Sequence, residues 1–91
     1  MPLAIQHDRV AHRFETRVDG VSCLLDYTLA AGVMTVTHTE VPAAVGGRGI
    51  AAALVQQALT TARTEGWKVA PACSYAAAWL QRHPEYHDLL G

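Results

Sequence analysis

The feature that most constrains this chain is a turn with three glycines in four positions, Gly46-Gly47-Arg48-Gly49. A run rich in threonine and valine, residues 33–41, enters the turn, and an alanine-rich helical pattern leaves it. Glycine permits positive φ angles and close approach of a ligand to the backbone. A helix that begins there presents unpaired N–H groups and the positive end of its dipole. The turn therefore predicts either an anion site suited to phosphate or an ordinary loop between a strand and a helix.

Composition indicates one small globular domain, residues 1–91. The apolar fraction of 51% suits a packed core, and the net charge of −1 gives no basic excess for binding nucleic acid. No apolar run approaches the roughly 20 residues that cross a membrane, so we expect a cytoplasmic protein without a membrane segment. Neither the histidines nor Cys23 and Cys73 have the spacing of metal ligands, so we expect no metal and two free thiols.

Alternating apolar and polar residues predict three antiparallel strands joined by two tight turns. Asp19-Gly20, between the first two strands, is a strong hairpin signal because a type I′ turn needs positive φ at both central positions. Residues 1–11 show no clear periodicity, and Met1-Pro2 are expected to be loose or to join an edge strand. The three strands are expected over residues 12–18, 21–29 and 33–41, and one face of the third should carry Met34, Val36, His38 and Glu40.

Helical periodicity follows the glycine turn. Apolar residues recur at helical spacing and Gly66 suits the position just after a helix, so a helix is expected from about Arg48 to Glu65. A short strand at 67–71 and a second helix from Cys73 to about His83 should follow. Because a strand–helix–strand crossover is right-handed, the fourth strand is expected parallel to the third. The predicted fold is α/β (α+β), β-β-β-α-β-α, with a mixed four-stranded sheet packed by two helices.

The turns that follow the two parallel strands should lie at one edge of the sheet, where open sheets bind ligands. There Cys73 begins a helix, whose dipole lowers a thiol pKa and favours the thiolate. Cys73 is therefore either a reactive thiol or a buried structural cysteine, whereas Cys23 is expected in the core. His38 is either a general base or a hydrogen-bonded strand histidine. Glu40 offers a carboxylate for the same role, or is a solvated acid at a strand end.

Four motifs stand in order along the chain: His38-Thr39-Glu40-Val41-Pro42, Gly47-Arg48-Gly49-Ile50-Ala51, Pro71-Ala72-Cys73-Ser74-Tyr75 and Arg82-His83-Pro84-Glu85-Tyr86. Together they resemble the small GNAT-like acetyltransferase family, whose members are single-domain relatives of the acetyl-CoA-dependent N-acetyltransferases. The resemblance runs from about Phe14 to Leu90 and implies a GNAT-like fold that binds acetyl-CoA or CoA.

The resemblance also assigns roles to residues. In the superfamily, backbone N–H groups of a Gln/Arg-x-x-Gly-x-Gly/Ala turn hold the pyrophosphate. Here Ala44 stands where Gln or Arg is usual and Gly46 where a basic residue is common, so the contacts would be made by the backbone, with Arg48 as a replacement charge. Cys73 and His38 are the candidate catalytic residues. The candidate cofactor-binding residues are Thr39, Val41, Gly46, Gly47, Arg48, Gly49, Ile50, Ala51, Ser74, Tyr75, Arg82 and His83.

Several of these roles have alternatives. Ser74 and Tyr75 would give a hydroxyl to the leaving thiolate, or Tyr75 is a core residue. Arg82 and His83 would reach the 3′-phosphate of CoA, or favour the negative end of a helix. The pantetheine arm would pair, as an added strand, with the backbone near Thr39 and Val41.

The resemblance implies transfer of an acetyl group from CoA to an amine acceptor, of a protein or a small molecule, directly or through Cys73. Full enzymes of the superfamily have two further strands that help build the acceptor pocket. The alternative is therefore a CoA or acyl-CoA binding module without turnover, or an interaction domain without a ligand. An exposed sheet edge also gives the domain a reason to form homo-oligomers.

Overall fold

The structure, a computed structural model, describes residues 3–90, so Met1-Pro2 lie outside the described residues. The described chain forms a five-stranded sheet, two α-helices and two 3-10 turns at Ala43–Val45 and Pro84–Leu89. Strands neighbour one another in chain order and are antiparallel, except that the last two are parallel as predicted. The elements are β1 (Gln6–Asp8), β2 (Arg13–Val18), β3 (Val21–Ala30), β4 (Val33–Glu40), α1 (Ile50–Glu65), β5 (Lys68–Pro71) and α2 (Ser74–Gln81).

The hairpin between β2 and β3 has the predicted turn. Asp19 and Gly20 have φ angles of 51° and 75°, and Val18 pairs directly with Val21 across them. These two positive φ angles match the right-handed twist of the flanking strands, which fixes the register of the hairpin. The register in turn puts the apolar residues of both strands on one face.

Both helices cover that same face of the sheet. The apolar stripe of α1 is buried as predicted from its spacing, and Gly66 ends the helix in the left-handed conformation with its N–H bonded to Ala62 and Arg63 carbonyls. Cys23 is fully buried, as predicted. The other face carries polar side chains, including an ion pair between Arg13 and Asp26. The shared core consists mainly of Phe14, Leu25, Tyr27, Met34, Val36, Val45, Leu54, Leu59, Val69, Ala76 and Leu80.

The prediction of four strands is wrong because β1 was not recognised. This strand pairs antiparallel with β2 but has only three residues, which is too few to show an alternating pattern. Tertiary contacts define it. The His7 ring stacks on Phe14 at 4.1 Å between centroids, and its Nε2 lies 2.6 Å from the Tyr27 hydroxyl. The carboxylate of Asp8 then accepts backbone N–H bonds at the start of the following turn.

The predicted face of the third long strand is wrong beyond Val36. Tyr27 pairs with Val36 but Asp26 pairs with His38, so Thr37 is an extra residue that forms a β-bulge. The bulge reverses the alternation of sides. His38 and Glu40 therefore lie exposed on the face without helices, whereas Thr39 pairs with Leu25 on the core face. A pattern of period two cannot reveal such an insertion.

Several element ends also differ from prediction. β4 ends at Glu40, before the predicted Val41. Helix α1 begins at Ile50 because Gly49, with φ of 76°, is its N-cap. Helix α2 ends at Gln81, before the predicted His83, because the last N–H groups bond three residues back, which tightens the chain ahead of Pro84. No helix within residues 3–90 is long and apolar enough to cross a membrane.

We expect the fold to lose stability in mild acid through His7. Burial lowers the pKa of His7, and the nearby Arg9 guanidinium lowers it further. The folded state therefore favours the neutral ring, and the unfolded chain binds more protons in acid. The free energy of unfolding should be highest above the ordinary pKa of 6.5 and fall as the pH drops through the lowered value.

Urea titrations at neutral and mildly acidic pH would measure this dependence. A His7→Gln variant, which cannot titrate, should lose less stability in acid than the wild type. The matched control is His38→Gln, because that ring lies exposed on the sheet. An equally steep acid loss in the His7 and His38 variants would contradict the assignment.

Candidate active site

The glycine turn is built around one buried anchor. After β4 the chain makes a 3-10 turn, and Val45 inserts into the core with 1% of its surface exposed. The Gly46 N–H closes this turn by donating to the Ala43 carbonyl. Gly47 and Gly49 then have φ angles of 77° and 76°, which side chains rarely adopt. Of the three glycines in this turn, the two that match the phosphate motif are therefore the two whose φ angles favour glycine.

The first amides after Gly46 have no hydrogen-bond partner in the described part of the chain. The first backbone bond of α1 runs from Ala53 N–H to the Gly49 carbonyl. Within the described chain, no protein group accepts from the N–H groups of residues 47–52, and a Cβ at Gly47 or Gly49 would meet nothing within 4 Å. These open amides and the positive end of the α1 dipole form a surface suited to an anion. The Gly46 amide is already paired, so Gly46 does not offer a donor.

A cavity of about 340 Å³ lies directly against these amides. Tyr75, in the first turn of α2, closes its other side and is 40% exposed, so the expectation that Tyr75 is a core residue is wrong. The N-termini of α1 and α2 thus border one cavity, as predicted from the two parallel strands. Its lining residues are Val41, Gly46, Gly47, Gly49, Ile50, Ala51 and Tyr75.

A wedge opens between β4 and the start of α2. The parallel ladder ends at the pair Val36 and Pro71, and the Val36 carbonyl then accepts both the Ala72 and the Cys73 N–H at 3.0 and 2.9 Å. Beyond this point, residues 37–40 have no β5 partner in the described structure. Such an edge can take an extended ligand as an added strand.

The Cys73 thiol lies inside this wedge at the N-cap of α2. It is half-buried, and its Sγ lies 3.6 Å from Thr39 Oγ1. Burial by itself raises the pKa of Cys73. The backbone of Ala76, the Thr39 hydroxyl and the backbones of Tyr75 and Thr39 favour the thiolate by hydrogen bonding and together leave the pKa below its ordinary value. A thiol with a lowered pKa at a helix N-terminus has the setting that favours a nucleophilic role.

The two predicted catalytic residues do not come together. The bulge places His38 on the opposite face of the sheet from Cys73, with 56% of its side chain exposed. Its Nε2 lies 3.2 Å from Glu40 Oε1. His38 and Glu40 therefore form a pair that an acceptor could reach only from the face without helices.

Comparison with known proteins identifies the family. Residues 13–89 match the sequence model described as GCN5-related N-acetyl-transferase. The chain belongs to this family. Mouse protein NATD1 is 33% identical over 86 residues, which cover 91% of this chain and 78% of the mouse protein. Human protein NATD1 has the same identity over the same share of this chain and 76% of its own length.

A solved structure shares the GCN5-related fold. The NMR structure of a GCN5-like protein from Staphylococcus aureus superposes with a TM-score of 0.78 and covers 98% of this chain and 88% of its own. Its sequence identity is 23%, so the likeness concerns the fold. The GNAT-like architecture predicted from the motifs is thereby confirmed, with five strands in place of four.

The remaining predicted residues of this GCN5-related domain fall in two places. Arg48 and Ser74 lie next to residues that line the cavity, whereas Arg82 and His83 lie at the other end of α2. Arg48 Nη1 contacts Asp19 Oδ2 at 2.7 Å, and both side chains are exposed. Ser74 is exposed in the first turn of α2, whereas Arg82 is exposed after its last turn, about 12 Å away along the helix. The His83 ring stacks on Trp79 and its Nδ1 lies 2.7 Å from the Trp79 carbonyl.

Sequence reasoning missed two side chains of the site. Asp19 was assigned only to a turn, although it pairs with a cation 29 residues away. Thr39 was expected to contribute its backbone, whereas its hydroxyl contacts Cys73 from 34 residues away. No local pattern signals either contact, because the first depends on the hairpin fold and the second on the β4 bulge.

We expect the two thiols to differ sharply in reactivity. Burial raises the pKa of Cys23, which is fully buried, whereas the pKa of half-buried Cys73 is lowered. Iodoacetamide at neutral pH should therefore add one group to the native protein, at Cys73, and two groups after denaturation. Intact mass and peptide mapping would locate them. Modification of Cys23 before Cys73 would contradict this order.

Proposed function

We propose that this protein binds acetyl-CoA in the cavity between the two helix N-termini and transfers its acetyl group to an amine. One observation carries the proposal. The open amides around Gly47 and Gly49 line a cavity whose border residues, Val41 and Tyr75, each lie two positions from the wedge pair Thr39 and Cys73. A phosphate site and an activated thiol are therefore neighbours on the same strand and helix.

A surface of several backbone N–H groups suits a diphosphate, which carries many oxygen acceptors, better than one charged side chain would. Several N–H groups without a protein acceptor belong to residues that line the cavity, and two helix N-termini add positive potential without any side-chain charge. This explains how the chain manages with Ala44 and Gly46 at positions where the superfamily has longer side chains. Arg48, which is paired with Asp19 beside the turn, would add its charge.

The open edge of β4 fits the pantetheine arm. That arm is an extended chain with two amides, and it needs backbone partners of the kind that residues 37–40 leave without a strand. A ligand held at the glycine turn and extended along β4 would reach the position of Thr39 and Cys73. The acetyl end would then lie next to the Cys73 sulfur.

Acetyl-CoA, when bound, would supply an acetyl thioester. In the covalent route the Cys73 thiolate attacks the acetyl carbon, a new carbon–sulfur bond forms at Sγ, and the bond to the CoA sulfur breaks. The CoA thiolate leaves and takes a proton from water or from the nearby Tyr75 hydroxyl. The acceptor amine then attacks acetyl-Cys73, loses its proton to a base and releases the Cys73 thiolate.

The acceptor would approach from the face of the sheet without helices. The elements proposed to bind CoA occupy the other face, whereas His38 and Glu40 lie exposed on this face, in the part of β4 that has no β5 partner. There His38 would act as the base that removes the proton from the acceptor amine. It cannot be the base for Cys73, because the two side chains are on opposite faces.

We expect CoA affinity to depend on the shape of the glycine turn. In Gly47→Ala a side chain is forced to adopt a positive φ angle, which should distort the amides and weaken CoA binding about five- to tenfold. The matched control is Gly32→Ala, which introduces the same strain because Gly32 has a φ angle of 75°. Gly32 lies in the turn between β3 and β4, at the opposite end of β4 from the glycine turn. Calorimetric titration with CoA would measure both variants.

The control should lose stability but keep its affinity. Pantetheine, which lacks the diphosphate, should bind wild-type protein far more weakly than CoA does. Equal affinities for CoA and pantetheine, or equal effects of the two glycine variants, would contradict a diphosphate site at this turn.

We expect acetyl-CoA to leave one acetyl group on Cys73 when no acceptor is present. Intact mass should show one adduct on the wild type and none on Cys73→Ser, whose hydroxyl is a much weaker nucleophile. The Cys23→Ser variant is the control and should be acetylated like the wild type. A protein that binds acetyl-CoA without any adduct, and transfers no acetyl group to amines, would instead be a binding module.

A further inference from the structure

We propose that the Thr39 hydroxyl holds the Cys73 sulfur in its reactive, deprotonated form and is a positioning residue of the site. The purpose of this role rests on the proposed acetyl transfer. The role itself concerns only the reactivity of a thiol, which can be measured without any coenzyme or acceptor.

The bulge in β4 is what brings Thr39 to Cys73. If Thr37 took a regular position in the ladder instead of forming the bulge, alternation from Val36 would point His38 toward the core face and Thr39 away from it. The bulge reverses this order, and the pairing of Thr39 with Leu25 fixes its side chain on the core face. The result is a contact of 3.6 Å between Thr39 Oγ1 and Cys73 Sγ across the wedge.

The direction of this hydrogen bond depends on the state of the sulfur. In the thiol form, Sγ–H donates to Thr39 Oγ1. When the thiol gives its proton to water, the Thr39 hydroxyl rotates and donates its own hydrogen to the sulfur anion, so Thr39 neither gains nor loses a proton. Hydrogen bonds to an ionised partner are about twice as strong as neutral ones. The contact therefore favours the thiolate over the thiol.

Charged groups nearby do not provide this stabilisation. The titratable or charged side chains on the elements around Cys73 are Tyr75 on α2, His38 and Glu40 on β4, Lys68 on β5, Arg48 before α1, and Arg63 and Glu65 at the end of α1. Lys68 donates to the Asp88 carbonyl, and Arg63 and Glu65 are paired with Asp88 and Arg9. His38 and Glu40 face away, and Arg48 is paired with Asp19. Although burial opposes it, the lowered pKa of Cys73 comes from hydrogen bonds, and the Thr39 hydroxyl is the side chain among them.

The test compares two substitutions of Thr39: valine, which keeps the shape of threonine but lacks the hydroxyl, and serine, which keeps the hydroxyl but lacks the methyl group. In Thr39→Val, the pH at which Cys73 alkylation by iodoacetamide reaches half its maximal rate should rise by about 1 unit. The rate at neutral pH should fall about threefold, because a tenfold loss of thiolate is partly offset by the greater nucleophilicity of a more basic sulfur. Thr39→Ser should keep the wild-type profile. Thr35→Val, on the other face of β4, is the matched control and should also leave it unchanged.

The assay contains no CoA, so its result is independent of whether acetyl transfer occurs. A Thr39→Val profile that matches the wild type would overturn the role of the hydroxyl. A Thr39→Ser profile displaced as far as that of Thr39→Val would also overturn it, because packing of the methyl group would then be the cause. Circular dichroism of each variant verifies that it is folded, and the serine variant keeps the test decisive if the valine variant is not.

Discussion

The arrangement of this site depends on one backbone oxygen, the carbonyl of Val36. In a continuous parallel ladder, successive N–H groups of β5 would bond to different carbonyls along β4. Here the N–H groups of Ala72 and Cys73 both bond to Val36, so the ladder stops and the chain turns into α2. Since the bulge at Thr37 follows immediately on β4, the two strands part at this point. The open edge of β4 and the position of the Cys73 sulfur both follow from this termination.

Peptide N–H groups, and no lysine or arginine side chain, line the cavity among the described residues. The chain has a net charge of −1, and Arg48, the cation nearest the glycine turn, shares its charge with Asp19. The open N–H groups of residues 47–52 and the N-terminus of α2 border the cavity instead. Binding that relies on amides constrains the φ angles of Gly47 and Gly49 and leaves neighbouring side chains such as Ala44 free to vary.

Stability and chemistry are separated along the sheet. The active-site elements lie at the edge where β4 and β5 end, whereas β1 is held elsewhere by the stacked rings of His7 and Phe14 and by the bond from His7 to Tyr27. Tyr27 also packs against Trp67, just before β5 begins. The wedge between β4 and α2 interrupts only the end of the sheet. The rest of the sheet is held together by this aromatic cluster and by its packing against α1. Such a division lets a domain of this size keep an open site.

The sequence by itself determined the larger features, because each has a local physical cause. Positive φ at Asp19-Gly20 fixes a hairpin, helical spacing after Gly49 fixes α1, and the crossover makes β5 parallel to β4. The glycine turn and Cys73 were placed at one edge by that reasoning alone. Tertiary structure decided the rest. Three features depend on the register between strands: the pairing of β1 with β2, the bulge at Thr37, and the position of Thr39 instead of His38 next to Cys73. Register is set by contacts between residues far apart in the chain, which a local pattern of period two does not contain.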